Sequence, residues 1–399
     1  MLLLLACAPD APAPEPATCP AAPALPTGCG DLDCDGVADL VFAQTEDAAG
    51  AYATTSSVLL GPDFTTAIPL ATLGAVDVAV ADLDGDDRPD LVFANASDGE
   101  ARAVDSYVYW NGPEGFDRRT DLPTVGASDV EIADVDGDGH LDLAFANRYD
   151  GGSAADADSY RVDVWIYLGG DDGYAPDRRL AVPGFGASQV AVAGGDLAVA
   201  AGTFWTDTSW VYTGGPDGWS APPIELPTLA PEGVLARDLD HDGRTDLVFA
   251  NFYDDLVLDV GSVVYWGGDD GYAEATEFPT HGADDLVTAD LDGDGCEELI
   301  VANAMEGGFG ELDFEVASAA WTFPDRVATP GRTFLTVSAA AVAAGDLDGD
   351  GQVDLVFANR YDAAGESATA TSYVYRGPDF DVAEALAVRA AAGVAIAAP

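Results

Sequence analysis

The residues of this chain that could do chemistry come in one spacing. In DVDGDGHLDLAFAN, residues 134–147, carboxylates occupy alternate positions, Asp134, Asp136 and Asp138, with a fourth at Asp142 and an apolar run behind it. Anions packed this closely repel one another, so the pattern asks for a compensating cation. Carboxylates at positions 1, 3, 5 and 9 of a loop, with the backbone carbonyl of position 7 (here His140), supply the hard oxygens that Ca²⁺ takes. Mg²⁺ resists dehydration and fits such a loop less well. Glycine at position 6, Gly139, gives the positive φ that the sharp turn demands. Position 9 also begins the next apolar segment, so binding a cation and folding are expected to be coupled.

The spacing recurs. DLDCDGVADLVFAQ places Asp31, Asp33, Asp35, the Val37 carbonyl and Asp39; DLDGDDRPDLVFAN places Asp82, Asp84, Asp86, the Arg88 carbonyl and Asp90. DLDHDGRTDLVFAN gives Asp238, Asp240, Asp242, Arg244 and Asp246; DLDGDGCEELIVAN gives Asp290, Asp292, Asp294, Cys296 and Glu298; DLDGDGQVDLVFAN gives Asp346, Asp348, Asp350, Gln352 and Asp354. Up to six Ca²⁺ sites are therefore expected. In so acidic a chain one copy is weak evidence, but six in phase at about 50-residue intervals are strong. One interval is double and hides a seventh repeat, SQVAVAGGDLAVAAG at 188–202, which keeps Asp196 while its loop has shrunk to Gly194-Gly195. That copy is expected to bind nothing. Leu or Val at position 2, such as Leu83 and Val135, is expected to point away from the cation and pin the loop.

These loops must be held by strands. Each is followed by a short apolar segment such as DLVFA, hydrophobic on both faces and so covered on both sides. Alternating tails such as SYVYWNGPEGF and SVVYWGGDDGYA read as a further strand ended by a turn. In the second repeat the expected strands are Val76–Ala81, Asp90–Asn95, Ser106–Trp110 and a poorer one near Arg119–Pro123. Seven four-stranded antiparallel units predict an all-β, seven-bladed β-propeller over residues 28–399. The first copy lacks the strand that precedes every other intact loop, and Val394–Ala397 near the C-terminus supplies it. The ring is expected to close by that strand completing the first blade, which leaves no long free edge.

D-x-D-G-D-G-x-x-D-L followed by a strand resembles the FG-GAP/VCBS repeats of integrin α-subunit propellers and their bacterial relatives, across residues 28–399. The resemblance implies Ca²⁺ loops between the first and second strands of each blade, on one face, and binding loops on the opposite face. It transfers no ligand.

Charge and termini narrow the partners. Acidic residues number 71 against 15 basic, all of them Arg, for a formal charge of −56. Nucleic acid and anionic membrane surfaces are poor partners for such a surface. A saline habitat is an alternative source of the acidity outside the loops. The start MLLLLAC is similar to a bacterial lipoprotein cleavage box with Cys7 as the lipidated residue, although no basic segment precedes it. Residues 1–27 then read as signal and Pro/Ala-rich tether. A secreted or lipid-anchored monomer is expected, with the membrane reached only through the anchor. Cys19, Cys29 and Cys34 lie close enough in sequence to bridge in an oxidising compartment, and distant Cys296 reads as a free thiol.

The loops after the second strands carry ANRYDGG, ANFYDD and ANRYDAAG. They would set Arg148, Tyr149, Phe252, Tyr253, Arg360 and Tyr361, with Trp205 of the degenerate repeat, around a funnel mouth suited to a protein or glycan ligand. The architectural alternative is that Asn caps each strand end and Tyr covers the blade junction. No catalytic residue is assigned. The one enzymatic reading has Arg148 or Arg360 neutralise a uronate while Tyr149 or Tyr361 takes a proton, as in a polysaccharide lyase.

Overall fold

The computed structural model describes residues 30–152, 156–203, 206–219, 221–254, 257–269, 271–308 and 311–398. Cys7, Cys19, Cys29, Phe204, Trp205 and the tether lie outside the described residues. The segments that read as apolar on both faces are the second strands of seven blades: Asp39–Gln44, Asp90–Asn95, Asp142–Asn147, Asp196–Ala201, Asp246–Asn251, Glu298–Asn303 and Asp354–Asn359. Phe42, Phe93, Phe145, Phe249 and Phe357 in them are wholly buried, because each is sandwiched by the faces of two neighbouring blades. Each such ring contributes on the order of 2–3 kcal/mol of transfer free energy.

Every blade is a four-stranded antiparallel sheet, and their innermost strands follow one another around a closed ring. In the second blade the strands are Ala75–Ala81, Asp90–Asn95, Asp105–Gly112 and Gly115–Pro123, so the weakly patterned outer strand is the longest of the four. The first blade takes its innermost strand from the other end of the chain: Ala391–Ala397 pairs antiparallel with Asp39–Gln44, Leu40 opposite Ile396. The ring closes as the sequence predicts. The closing strand starts three residues before the expected Val394, because Ala391, Ala392 and Gly393 are small residues that suit the crowded hub. A Cβ on Gly393 would meet Asp77 Cα at 2.8 Å.

Two recurring contacts join the blades. Near the axis, the third residue of an inner strand reaches the next blade and accepts a backbone N–H: Asp77 from Val130 (3.1 Å), Asp129 from Val190 (3.0 Å), Gln189 from Val234 (2.6 Å) and Asp285 from Val342 (2.9 Å). Farther out, a third-strand tyrosine hydroxyl donates to a carbonyl of the preceding blade: Tyr109 to Ala71, Tyr167 to Pro123, Tyr212 to Pro183, Tyr265 to Pro227 and Tyr375 to Leu335. The sixth blade carries an added hairpin, Glu306–Gly308 with Glu311–Asp313.

Candidate functional site

Each acidic loop leads into the second strand of its blade, in five blades directly from the inner strand and in the first, where the inner strand comes from the other end of the chain, ahead of Asp39–Gln44, so the six loops share one face. Their fold is built by side chain to backbone bonds. In the third blade Asp134 Oδ1 accepts the N–H of Gly137 (2.8 Å) and of Asp138 (3.1 Å), and Oδ2 accepts that of Gly139 (3.0 Å). Position 5 accepts the N–H of position 7 in every loop: Asp35 from Val37, Asp86 from Arg88, Asp138 from His140, Asp242 from Arg244, Asp294 from Cys296 and Asp350 from Gln352. This wrapping turns side chains inward. One carboxylate oxygen from each of Asp134, Asp136 and Asp142 lies within 4.8 Å of the others, as do those of Asp31, Asp33 and Asp39, of Asp82, Asp84 and Asp86, and of Asp238, Asp240 and Asp246. Position 6 has positive φ, 91° at Gly139 and 67° at the substitute Asp87. Position 4 is left-handed too, at Gly137 (75°) and even at Cys34 (62°) and His241 (59°); the glycines at 85, 137, 293 and 349 were the available signal.

Position 9 is the keystone. Asp142 Oδ2 accepts the N–H of Val135 (2.9 Å), while Oδ1 accepts that of Gly169 (2.7 Å) in the turn beyond the third strand. Asp39, Asp90, Asp246 and Asp354 make the same pair of bonds. Asp196 of the degenerate fourth blade still accepts from Gly214 at 3.1 Å, although its acidic loop is gone. Burial pushes Asp39 and Asp246 up to about 6 and Asp90 and Glu298 up to about 7, and the charges of loop neighbours add to it. An all-oxygen donor set with mutually repelling charges fits Ca²⁺.

The loops differ in their counter-charges. Arg118 pairs with Asp84 at 3.1 Å, Arg326 with Asp240 at 2.6 Å and Asp242 at 3.3 Å, and Arg376 with Asp354 at 2.9 Å. In the third and sixth loops, among the described residues, no arginine pairs with the carboxylates at positions 1, 3, 5 and 9. Cys296, expected as a free thiol, is disulfide-bonded, as is Cys34.

On the opposite face a cavity of about 500 Å³ opens at the axis. Arg148, Tyr149, Phe252, Arg360 and Tyr361 all line it, joined by Tyr52 and Arg102, which the loop motif did not flag. Arg102 lies over the Tyr149 ring, 5.0 Å from its centroid, and Tyr149 stacks on Tyr160. Tyr253 is different: it is buried against Ala230 and Leu258, so its place is in the blade junction and not on the rim. The asparagines also serve the fold. Asn147 Oδ1 accepts from Val125 (2.9 Å) and Nδ2 donates to the Asp163 carbonyl (2.8 Å), and Asn95, Asn251 and Asn303 repeat the arrangement.

The arginines of the cavity are countered. Arg148 donates twice to Glu232, at 2.5 Å each, and to the Gly202 carbonyl. Burial opposes its charge, but Glu232 overrides this and holds the guanidinium above its ordinary value. Arg360 sits 3.8 Å from Asp284. Beneath them Asp77, Asp129 and Asp285 face the axis. Burial raises all three; Asp285 stands at about 6, and Asp129 is raised further by the charge of Asp77.

A family model described as FG-GAP-like repeat matches residues 82–145. No curated protein matches the sequence. Solved structures match in fold. A protein from Lactobacillus plantarum superposes with a TM-score of 0.55 at 14% identity, over 90% of this chain and 99% of that one. A candidate 6-phosphogluconolactonase from Bacteroides fragilis gives 0.53 at 11%, over 91% and 98%. One from Bacteroides uniformis gives 0.55 at 13%, over 91% and 99%.

Proposed function

We propose that this chain, a seven-bladed propeller of FG-GAP-like repeats, is a calcium-stabilised interaction module that takes a protein or glycan ligand at its axial cavity. The observation that carries the reading is the convergence of Tyr52, Tyr149, Phe252, Tyr361, Arg102 and Arg360 on one concave site. Aromatic faces and guanidinium groups stack on sugars and anchor protein side chains. The reading places the propeller outside the cell, tethered through lipidated Cys7, where millimolar Ca²⁺ loads loops of modest affinity.

A binding role is favoured over a catalytic one by the arginines. A lyase would need a guanidinium free to neutralise a uronate, whereas Arg148 is already neutralised by Glu232 and Arg360 lies beside Asp284. The test is a glycan array and a cell-surface pull-down with wild-type protein and with Tyr149→Ala, Tyr361→Ala and Arg360→Ala. Ligand capture that these changes reduce at least tenfold supports the reading. Capture indifferent to all three, or turnover of a polysaccharide lost in Tyr149→Phe or Tyr361→Phe, overturns it.

A further inference from the structure

Outside the acidic loops, three segments of the cavity-bearing face bring together donors of a different kind. Asp259 precedes the third strand of the fifth blade, His281 lies in the connection to the sixth blade, and Glu306 opens the added hairpin. His281 Nδ1 stands 2.8 Å from Asp259 Oδ1 and 3.6 Å from Glu306 Oε2. One donor atom from each of the three lies within 4.8 Å of the others. We propose that Asp259, His281 and Glu306 form a site for a divalent transition metal, with Zn²⁺ as the best-fitting ion.

The geometry fits that ion. Tetrahedral Zn²⁺ has bonds of about 2.0–2.2 Å to imidazole nitrogen and carboxylate oxygen, which places neighbouring donor atoms about 3.3 Å apart. The two observed separations, 2.8 and 3.6 Å, bracket that edge. Two carboxylates and a neutral imidazole balance a 2+ ion. The imidazole nitrogen separates this site from the all-oxygen loops, because Ca²⁺ and Mg²⁺ prefer oxygen while Zn²⁺ accepts nitrogen readily. Among the described residues neither Asp259 nor Glu306 has an arginine partner.

The backbone fixes the donors before any ion arrives. The N–H of Leu258, next to Asp259, donates to the Gly307 carbonyl at 3.0 Å, and that of Gly282, next to His281, donates to the Leu258 carbonyl at 2.7 Å. Ala304 N–H in turn donates to the Gly282 carbonyl at 2.9 Å, and His281 N–H to Asn303 Oδ1 at 3.2 Å. The side chains of His281, Asp259 and Glu306 are 42%, 49% and 44% exposed, which leaves an entry path and room for water as a fourth ligand. The bound ion would tie the added hairpin to the fifth blade.

The test is calorimetric titration of Zn²⁺ alone into the full chain held in excess Ca²⁺, so that the acidic loops are filled. One Zn²⁺ equivalent is expected, weakened at least tenfold in His281→Ala and in Glu306→Gln and unchanged in Glu114→Gln, an exposed acid outside both kinds of site. Unchanged binding in His281→Ala overturns the proposal. Should the variants misfold, the wild-type chain still decides, because it contains only three histidines. Paramagnetic Co²⁺ added under the same conditions should broaden the His281 ring signals at one equivalent. Broadening confined to His140 and His241, or absent, overturns the site.

Discussion

At the scale of single residues, the acidic motif divides into two jobs that look identical in sequence. Position 3 and position 5 side chains accept backbone N–H groups only within their own loop, as Asp136 and Asp138 do, whereas position 9 carries two backbone N–H groups from separate parts of the blade, as Asp142 does for Val135 and Gly169. Asp142→Ala should therefore cost about 2–4 kcal/mol with or without Ca²⁺, because two buried donors lose their acceptor. Asp136→Asn should lower the melting temperature only in Ca²⁺ buffer. Paired melts in Ca²⁺ and in chelator separate the two, and equal sensitivity to Ca²⁺ would refute the division. Arg326 already supplies a positive charge to Asp240 and Asp242, so Arg326→Ala should raise Ca²⁺ affinity of the fifth loop, measured by titration with the other loops as internal reference. The carboxylate spacing was readable because ligand geometry is local. The second duty of position 9 was not, since its partner Gly169 lies 27 residues on and is fixed only by the sheet.

Among the elements, the strands were legible where burial writes a pattern and obscure where it does not. DLVFA announces a strand covered on both faces, and the structure buries all of it at its four occurrences, as it does the variants DLAFA and ELIVA of two further blades. The outer strand Gly115–Pro123, largely exposed, has no such signature, and the hairpin at Glu306 interrupts the repeat without an apolar run to mark it. The hub contacts were hidden for another reason: Asp77 and Asp129 look like two more acids in an acidic chain, yet each accepts an N–H from the following blade. Asp77→Asn keeps an acceptor oxygen and removes the charge facing Asp129. Its thermal midpoint at pH 7.5 should equal or exceed that of the wild type, and a large fall would show that the charge itself is needed. The closing strand is more demanding. Removing residues 391–399 exposes Asp39–Gln44 along one edge and should abolish cooperative unfolding of the whole ring, as read by calorimetry.

For the whole molecule the axial acids set a pH dependence. Glu131 and Asp284 stand at about 7 and Asp285 at about 6, raised chiefly by burial, against an ordinary carboxyl near 4 in the unfolded chain. A folded state that holds protons more tightly gains stability as pH falls, so their contribution is full below about 4 and lost as pH rises through 6–7. Metal-free protein should melt at a higher temperature at pH 5 than at pH 7.5; Ca²⁺-loaded protein should show a smaller gain, because acid also releases the ion. A metal-free midpoint that drops on acidification would contradict this. Closure by the two distant segments also governs how the chain is made. Strand Asp39–Gln44 leaves the ribosome first, and its neighbour Ala391–Ala397 comes last. At about 5–20 residues per second, the early strand spends tens of seconds with an apolar flank uncovered. During biosynthesis the greatest hazard therefore falls on the nascent N-terminal blade, and a helper that shields it would raise the yield more than any stabilisation of the finished protein.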